Sequence, residues 1–377
     1  MISEKKIFSR YEYKTGYVKN IDKFKHDIML KKIIPYQVEI QPGPISDKIC
    51  WLECPFCYGK SANDTGQRLT KERYIELIKE IAEGGVKKVI FAGWATDPLF
   101  YKYIDELVET ALDSDLIIGF NTRVINISDR LIGLITSSSV QKDSYLSVSV
   151  DSGDNTSYDQ VHAVSRPSRL YDRVCENVRR IKINLNKNGG SLFTSITYLI
   201  NQDNCDEKLI LKFIEDYKLA GVDLIRFSFP QIPRGDQEGE NASILTHPER
   251  MALQESLKPI IQRSNSGGSK VLFVEADDLF YKKRTTPCFA RFIYPTIGFD
   301  GWLYHCSQSA GPNFHSIALG DLRQNGFWKL FYNYNMDNIE RYINELSTCL
   351  NKSDCRCDRK EHTVNRKLFK SGVFQDT

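Results

Sequence analysis

No apolar run in this chain approaches the ~18 residues that a membrane-spanning helix requires. The first residues, MISEKKIFSR, carry charges with no apolar stretch behind them. Neither a membrane partner nor a secretory signal is therefore expected, and a cytoplasmic location follows. Charge of one sign is also lacking: 51 Lys and Arg against 48 Asp and Glu leave a net +3 over 377 residues. That is too small an excess to argue for a nucleic-acid partner. No short-period repeat and no low-complexity tract appears. What remains is ordinary globular material, 41% hydrophobic and 26% charged, with room for one large and one small domain. Residues 1–35 carry nine Lys/Arg against four Asp/Glu, and read either as a docking arm for an acidic partner or as a solvated segment.

Ten cysteines without a secretory signal do not read as a disulfide framework. Eight fall in two groups, three at 50–57 and five at 288–357, with only Cys175 and Cys205 outside. Such grouping in a reducing compartment points to metal. The first group lies in KICWLECPFCYGK, residues 48–60, and comprises Cys50, Cys54 and Cys57. Thiolates at such short gaps suit zinc or iron–sulfur chemistry. A structural zinc site wants four ligands, and no fourth cysteine is near; the flanking histidines, His26 and His162, are remote in sequence. A cubane cluster held by three cysteines instead leaves one iron open to a substrate or cofactor.

The chain alternates strand and helix from about residue 36 to 230. Strands are expected at 36–40, 87–93, 116–122, 145–151, 192–201 and 222–230, and helices at 71–85, 99–112, 128–138, 169–186 and 206–221. Continuous apolar strands between amphipathic helices predict an α/β fold, a parallel sheet curved into a partial barrel. Ligand-binding residues then belong at the carboxyl ends of the strands, where the cysteine loop follows strand one. The expected organisation is a basic segment at 1–35, the barrel at 36–235, a linker and connecting helix at 236–270, a small cysteine-bearing domain at 271–360 and a tail at 361–377.

Cys-x3-Cys-x2-Cys, with an aromatic before the last cysteine and placed after the first strand of a βα barrel, resembles the radical S-adenosylmethionine (SAM) superfamily. The resemblance implies a partial (β/α)6 TIM-like barrel and a [4Fe–4S] cluster on Cys50, Cys54 and Cys57 whose open iron chelates the SAM amino and carboxylate groups. It implies reductive cleavage of SAM to a 5′-deoxyadenosyl radical that takes a hydrogen atom from an unactivated C–H bond. The protein then supplies position, redox tuning and exclusion of water. A reductant such as flavodoxin or ferredoxin is implied as a partner.

The same resemblance marks candidate SAM contacts. In AGWATDPL, Gly93 matches the first glycine of the family's Gly-Gly-Glu-like stretch, Trp94 replaces the second, and Asp97 with Pro98 resembles its Glu-Pro ending; a simple strand-to-helix turn is the alternative. Asn121 and Thr122 end the third strand, and Ser149 and Asp151 the fourth, where the family holds ribose or carboxylate. Arg166 is either a bidentate partner of the SAM carboxylate or a surface arginine. Phe56 and Tyr58 either touch adenine or pack within the loop.

The second group opens with Cys288-x12-Gly301-x4-Cys306, whose glycine permits a tight turn, and continues with Cys349, Cys355 and Cys357. It resembles the SPASM extension or its shorter twitch form. Five cysteines cannot saturate two cubanes, so one auxiliary [4Fe–4S] cluster is the better count. Cys288 and Cys306 are the safest ligands, joined by Cys355 and Cys357, with Cys349 as spare or competitor. A zinc site, with His305 as a ligand, is the alternative.

Resemblance to SPASM and twitch oxidoreductases makes maturation of a ribosomally made peptide (RiPP biosynthesis) the leading activity, by crosslinking, oxidation or epimerisation. Oxidation or epimerisation of a small molecule such as an aminocyclitol or sugar stands behind it, because 49 residues before Cys50 are fewer than a leader-binding module of ~80 residues needs. A non-catalytic zinc scaffold is the third reading. Cys175 lies mid-helix and reads as packing. Cys205, just after the fifth strand, is either a helix-start residue or a thiol that returns a hydrogen atom to a substrate radical. In an epimerase, Cys205→Ala is expected to abolish turnover while 5′-deoxyadenosine still forms. Normal product from that variant in deuterated water removes the donor assignment.

Overall fold

The computed structural model describes residues 20–43, 50, 52–57, 59, 64–93, 96–232, 240–265, 268–274, 286–335, 339–352, 355, 357 and 359–372. Of the sequence assignments, Tyr58, Trp94, residues 1–19 of the basic segment and residues 233–239 of the linker lie outside them. The expected strands are present as β1 (Gln37–Ile40), β2 (Lys88–Phe91), β3 (Ile117–Thr122), β4 (Tyr145–Ser149), β5 (Phe193–Leu199) and β6 (Leu224–Ser228). Every residue of β1 and β2 is buried, the pattern of a parallel sheet covered on both faces.

Helices form where apolar spacing and caps agree. α1 covers Ile21–Met29 and α2 Lys71–Glu83. In α2 the Thr70 hydroxyl accepts from Arg73 N, and Tyr74, Leu77, Ile78 and Ile81 form one buried stripe. α3 is Ile104–Asp113, α4 Asp129–Thr136, α5 Asn155–Val161 and α6 Leu170–Asn188, which ends at Gly189 with φ 65°. α7 is Glu207–Leu219, capped by Asp206, and α8 is His247–Ser264, opened by a Thr246–Glu249 capping box.

Two compact units divide the chain, one of Pro42–Ser61 and Phe91–Tyr281, the other of Met1–Gln41, Ala62–Ile90 and Lys282–Thr377. In the first unit β3, β4, β5 and β6 pair in parallel in that order, with registers such as Leu146↔Thr194 and Ile196↔Ile225. A further strand, β7 (Lys270–Phe273), pairs in parallel with β6 through Leu224↔Lys270. The helix expected to connect two domains, α8, is therefore another crossover helix of the same sheet. One face of β5 and β6 packs apolar, with Tyr198 4.8 Å and Phe227 5.6 Å from the Phe213 ring of α7. Its alternate positions are polar, in rows Ser147↔Ser195 and Ser149↔Thr197↔Arg226.

In the second unit β8 (Thr296–Ile297) pairs in parallel with β1, whereas β9 (Trp302–Tyr304) runs antiparallel to β8 and to β10 (Gly320–Asp321). Gly301, at φ 83°, makes the β8–β9 turn. The residues expected to form the small cysteine-bearing domain and the tail include three helices, α9 (Phe327–Phe331), α10 (Ile339–Lys352) and α11 (Arg359–Lys370). Val364 and Leu368 of α11 are buried, so apolar spacing rather than terminal position decides that segment. Residues 20–35 are likewise packed: Tyr334 and Tyr332 donate to the Ile28 and Ile33 carbonyls at 2.7 and 2.9 Å.

Trp328 of α9 lies across the end of α2, its indole N–H donating to Glu80 O at 3.0 Å. A Cβ at Gly84 would stand 2.1 Å from its ring. Gly84→Ala is expected to cost about 1–3 kcal/mol in urea unfolding, and Trp328→Leu to recover most of that loss in the double variant.

Candidate active site

The cysteine loop is held at three points. Cys57 N donates to Cys54 O at 3.0 Å, closing the Cys-x2-Cys turn, and Glu53 N donates to His162 O at 3.2 Å. Asn241 Nδ2 donates to Pro55 O at 3.0 Å. Cys54 and Phe56 are buried, and Cys50 and Cys57 half-buried.

Against Cys54 lies a polar cluster assembled from the ends of β3 and β4 and from α5. His162, directly after α5, places Nδ1 3.2 Å from Cys54 Sγ. Arg123, directly after β3, donates from Nη2 to the same sulfur at 3.4 Å, and its Nη1 is 2.9 Å from His162 Nε2. Arg123 Nη1 also faces Asp151 Oδ2 at 3.6 Å. The backbone that carries this side chain is held as well, because Asp97 accepts from Arg123 N at 2.7 Å, from Leu99 N at 2.9 Å and from the Thr122 hydroxyl at 2.8 Å.

Placing these groups strains the chain. Val124, Asp151 and Ala163 have φ of 49°, 61° and 48°, a left-handed conformation that costs L-residues about 1–3 kcal/mol each and is least suited to β-branched valine. Buried asparagines hold two of them: Asn177 Nδ2 donates to Val124 O at 2.7 Å, and Asn204 Nδ2 to Asp151 O at 2.8 Å.

Burial raises the Cys54 thiol to about 12 despite Arg123 beside it, and also raises Cys50, with each feeling the Cys57 charge. Burial, reinforced by Arg123, holds His162 well below the usual imidazole range, so its ring is neutral. Asp151 is pushed up to about 6 by burial, with Arg123 and the Leu199 amide opposing. Burial raises Asp97 in the same way, against its hydrogen bonds.

The residues expected to contact SAM occupy varied surroundings. Asp97 and Thr122 spend their polar atoms on each other and on backbone amides, and Asp151, fully buried, accepts from Leu199 N at 2.8 Å. Phe56 packs 6.4 Å from the His162 ring. Arg166 is exposed in the loop between α5 and α6. Asn121 is exposed at the end of β3, and Ser149, half-buried, accepts from Thr197 Oγ1 at 3.3 Å. Gly93 admits no side chain: a Cβ there would stand 1.7 Å from Thr96 O. Cys205 follows β5, its sulfur 3.6 Å from Gln202 O, and Cys175 donates to Tyr217 within the helix layer. Sequence reading passed over Arg123, although it adjoins Asn121 and Thr122, and dismissed His162 for its distance along the chain.

In the other unit Cys288, Cys306 and Cys355 are buried and Cys357 half-buried, whereas Cys349 is exposed on α10. Burial raises the Cys306 thiol, with Glu361, Cys288 and Cys357 adding to it. Ser347 Oγ accepts from Cys288 N at 2.9 Å, and Asn365 Oδ1 from Phe289 N at 2.8 Å. His305 Nε2 lies 2.7 Å from Ile317 O.

Among the described residues no three His, Cys, Asp or Glu side chains converge closely enough to hold one metal ion. A single zinc draws its donors to ~2.3 Å, whereas a cubane spreads its thiolates over a wider body. Three thiols on one loop beside a half-buried cation fit a cluster that grows more negative on reduction.

Residues 47–214 match the family model described as Radical SAM superfamily. An uncharacterized protein of Archaeoglobus fulgidus is 27% identical over 152 residues, 39% of this chain and 34% of that protein. Streptococcus suis SuiB bound to S-adenosylmethionine shares the fold at TM-score 0.60 and 16% identity, over 85% of this chain and 72% of SuiB. Native anSMEcpe with bound AdoMet does so at TM-score 0.56 and 14% identity, over 90% of this chain and 96% of that one.

Asp151 offers a test independent of any likeness. Between pH 3.8 and about 6 the folded carboxyl keeps a proton that the unfolded one has lost, so this group's stabilisation is complete below that interval and is lost as pH rises through it. The loss is worth up to about 3 kcal/mol. In Asp151→Asn, urea unfolding from pH 4 to 7 is expected to lack that decline.

Proposed function

We propose that this radical SAM enzyme holds a [4Fe–4S] cluster on Cys50, Cys54 and Cys57 and removes a hydrogen atom from an unactivated C–H bond of a ribosomally made peptide. The observation that carries the chemistry is the half-buried cation of Arg123 beside Cys54, within the segment that matches the family. When bound, the cluster and SAM supply the hydrogen-abstracting 5′-deoxyadenosyl radical. The chain's residues do the rest. The Cys54–Cys57 turn orients two thiolates, and Gly93 brings bare backbone to the carboxyl end of β2. Asn121 and Ser149 are the side chains left to meet SAM, while Asp97, Thr122 and Asp151 act behind them on Arg123.

Cys288, Cys306, Cys355 and Cys357 are assigned to one auxiliary cluster, with exposed Cys349 spare. A cluster held there with all four thiols would supply an acceptor for the electron left on substrate, and the external reductant would be a flavodoxin or ferredoxin. Support for a peptide comes from the neighbours of like fold: SuiB has been seen bound to precursor peptide SuiA, and anSMEcpe to Cp18Cys peptide.

Anaerobically reconstituted protein with dithionite and SAM is expected to release 5′-deoxyadenosine. Replacing Cys50, Cys54 and Cys57 by Ala should remove about four irons per chain and end that release, while the iron bound through the second group stays. Wild-type protein that holds iron but forms no 5′-deoxyadenosine rules the reading out.

A further inference from the structure

We infer that Arg123 and His162 both donate hydrogen bonds to the Cys54 sulfur and thereby raise the reduction potential of the cluster assigned to Cys50, Cys54 and Cys57. The inference rests on the function proposed above and adds what that function does not require, a residue-level control of when the cluster takes its electron.

The geometry admits two proton arrangements, and only one suits a cluster. His162 Nε2 faces a carbonyl, Val150 O at 3.0 Å, and a permanent donor, Arg123 Nη1 at 2.9 Å. With Cys54 a free thiol, the thiol donates to Nδ1 and Nε2–H donates to Val150 O. With Cys54 a thiolate ligand, the sulfur can only accept. The ring proton then sits on Nδ1 and points at the sulfur, 3.2 Å away, while Nε2 accepts from Arg123. The ring stays neutral in both, and Arg123 makes the second arrangement possible because it supplies the donor that Nε2 then needs. Its other nitrogen, Nη2, donates to the sulfur itself at 3.4 Å.

Neither group is free to turn away. The His162 ring is fully buried, with the Tyr158 ring edge-on at 4.3 Å. Arg123 is fixed at its amide by Asp97 and at its guanidinium by Asp151. The left-handed residues Val124, Asp151 and Ala163 each lie at or beside a member of this cluster. Hydrogen bonds to cluster sulfurs stabilise the more negative, reduced state and so raise its potential. A cation beside the sulfur acts in the same direction.

The test is the midpoint potential of the full-length, reconstituted protein, followed by electron paramagnetic resonance on the signal that changes when SAM is added. His162→Leu removes one donor, and is expected to raise the oxidised-to-reduced ratio at fixed potential about tenfold, a drop of 59 mV for one electron. His162→Gln, which retains an N–H donor, should stay within about threefold of wild type on the same scale. An unmoved potential in a His162→Leu protein with its full iron content overturns the inference. Should that variant fail to hold the cluster, Arg123→Met decides by the same measure: a fall supports the inference and an unchanged potential overturns it. Wild-type protein lacking the SAM-sensitive signal removes the cluster assignment itself, and this inference with it.

Discussion

A guanidinium drawn most of the way out of water needs partners at short range, and the site is built around that constraint. Taking the Arg123 charge out of water is repaid only by anions and acceptors placed at short range. The loop after β2 sends Asp97 to its amide, the end of β4 sends Asp151 to its side chain, and α5 presents His162. The cysteine loop adds Cys54. Asp97 follows β2, Arg123 follows β3, and Asp151 and His162 both follow β4, so contacts to this one residue tie several loops at the carboxyl ends of the strands into a single arrangement.

The surrounding polar residues are explained by the same requirement. Backbone strain at Val124 and Asp151 is the cost of aiming Arg123 and the Asp151 carboxylate correctly, and Asn177 and Asn204 offset it by satisfying the displaced carbonyls. A network of this kind is strong only when every member is satisfied. It also excludes water from the sulfur, so that contacts to Cys54 act in a low dielectric. The second cysteine group is organised differently. There, interior placement of Cys288, Cys306 and Cys355 against α10 and α11 separates candidate ligands from Cys349, a distinction made by helix facing rather than by charge.

Much of the architecture was legible in the chain because its signals are local. The α2 stripe, the Thr70 cap and the glycines after the helices need only a few neighbouring residues to be recognised. Elements that depend on distant partners were harder. Strand β7 follows a Gly-Ser-rich break and reads as the edge of another domain until its ladder with β6 is seen. α11 sits at the end of the chain, where position invites the reading of a tail, yet its Asn365 reaches Phe289 N. Asp97 and Thr122 were each marked by their motif positions, but only the packing shows that they bind each other.

The sequence by itself determined the chemistry on offer: the thiol spacing at 50–57, a second thiol group and an alternating βα pattern are covalent facts of the chain, readable without coordinates. Only the tertiary structure decided what surrounds those thiols. His162 stands 108 positions from Cys54, and nothing in local composition distinguishes it from a histidine in any other loop. Its role arises because parallel strands deliver the ends of remote segments to one edge of a sheet, where distance along the chain ceases to matter and distance in space sets the electrostatics.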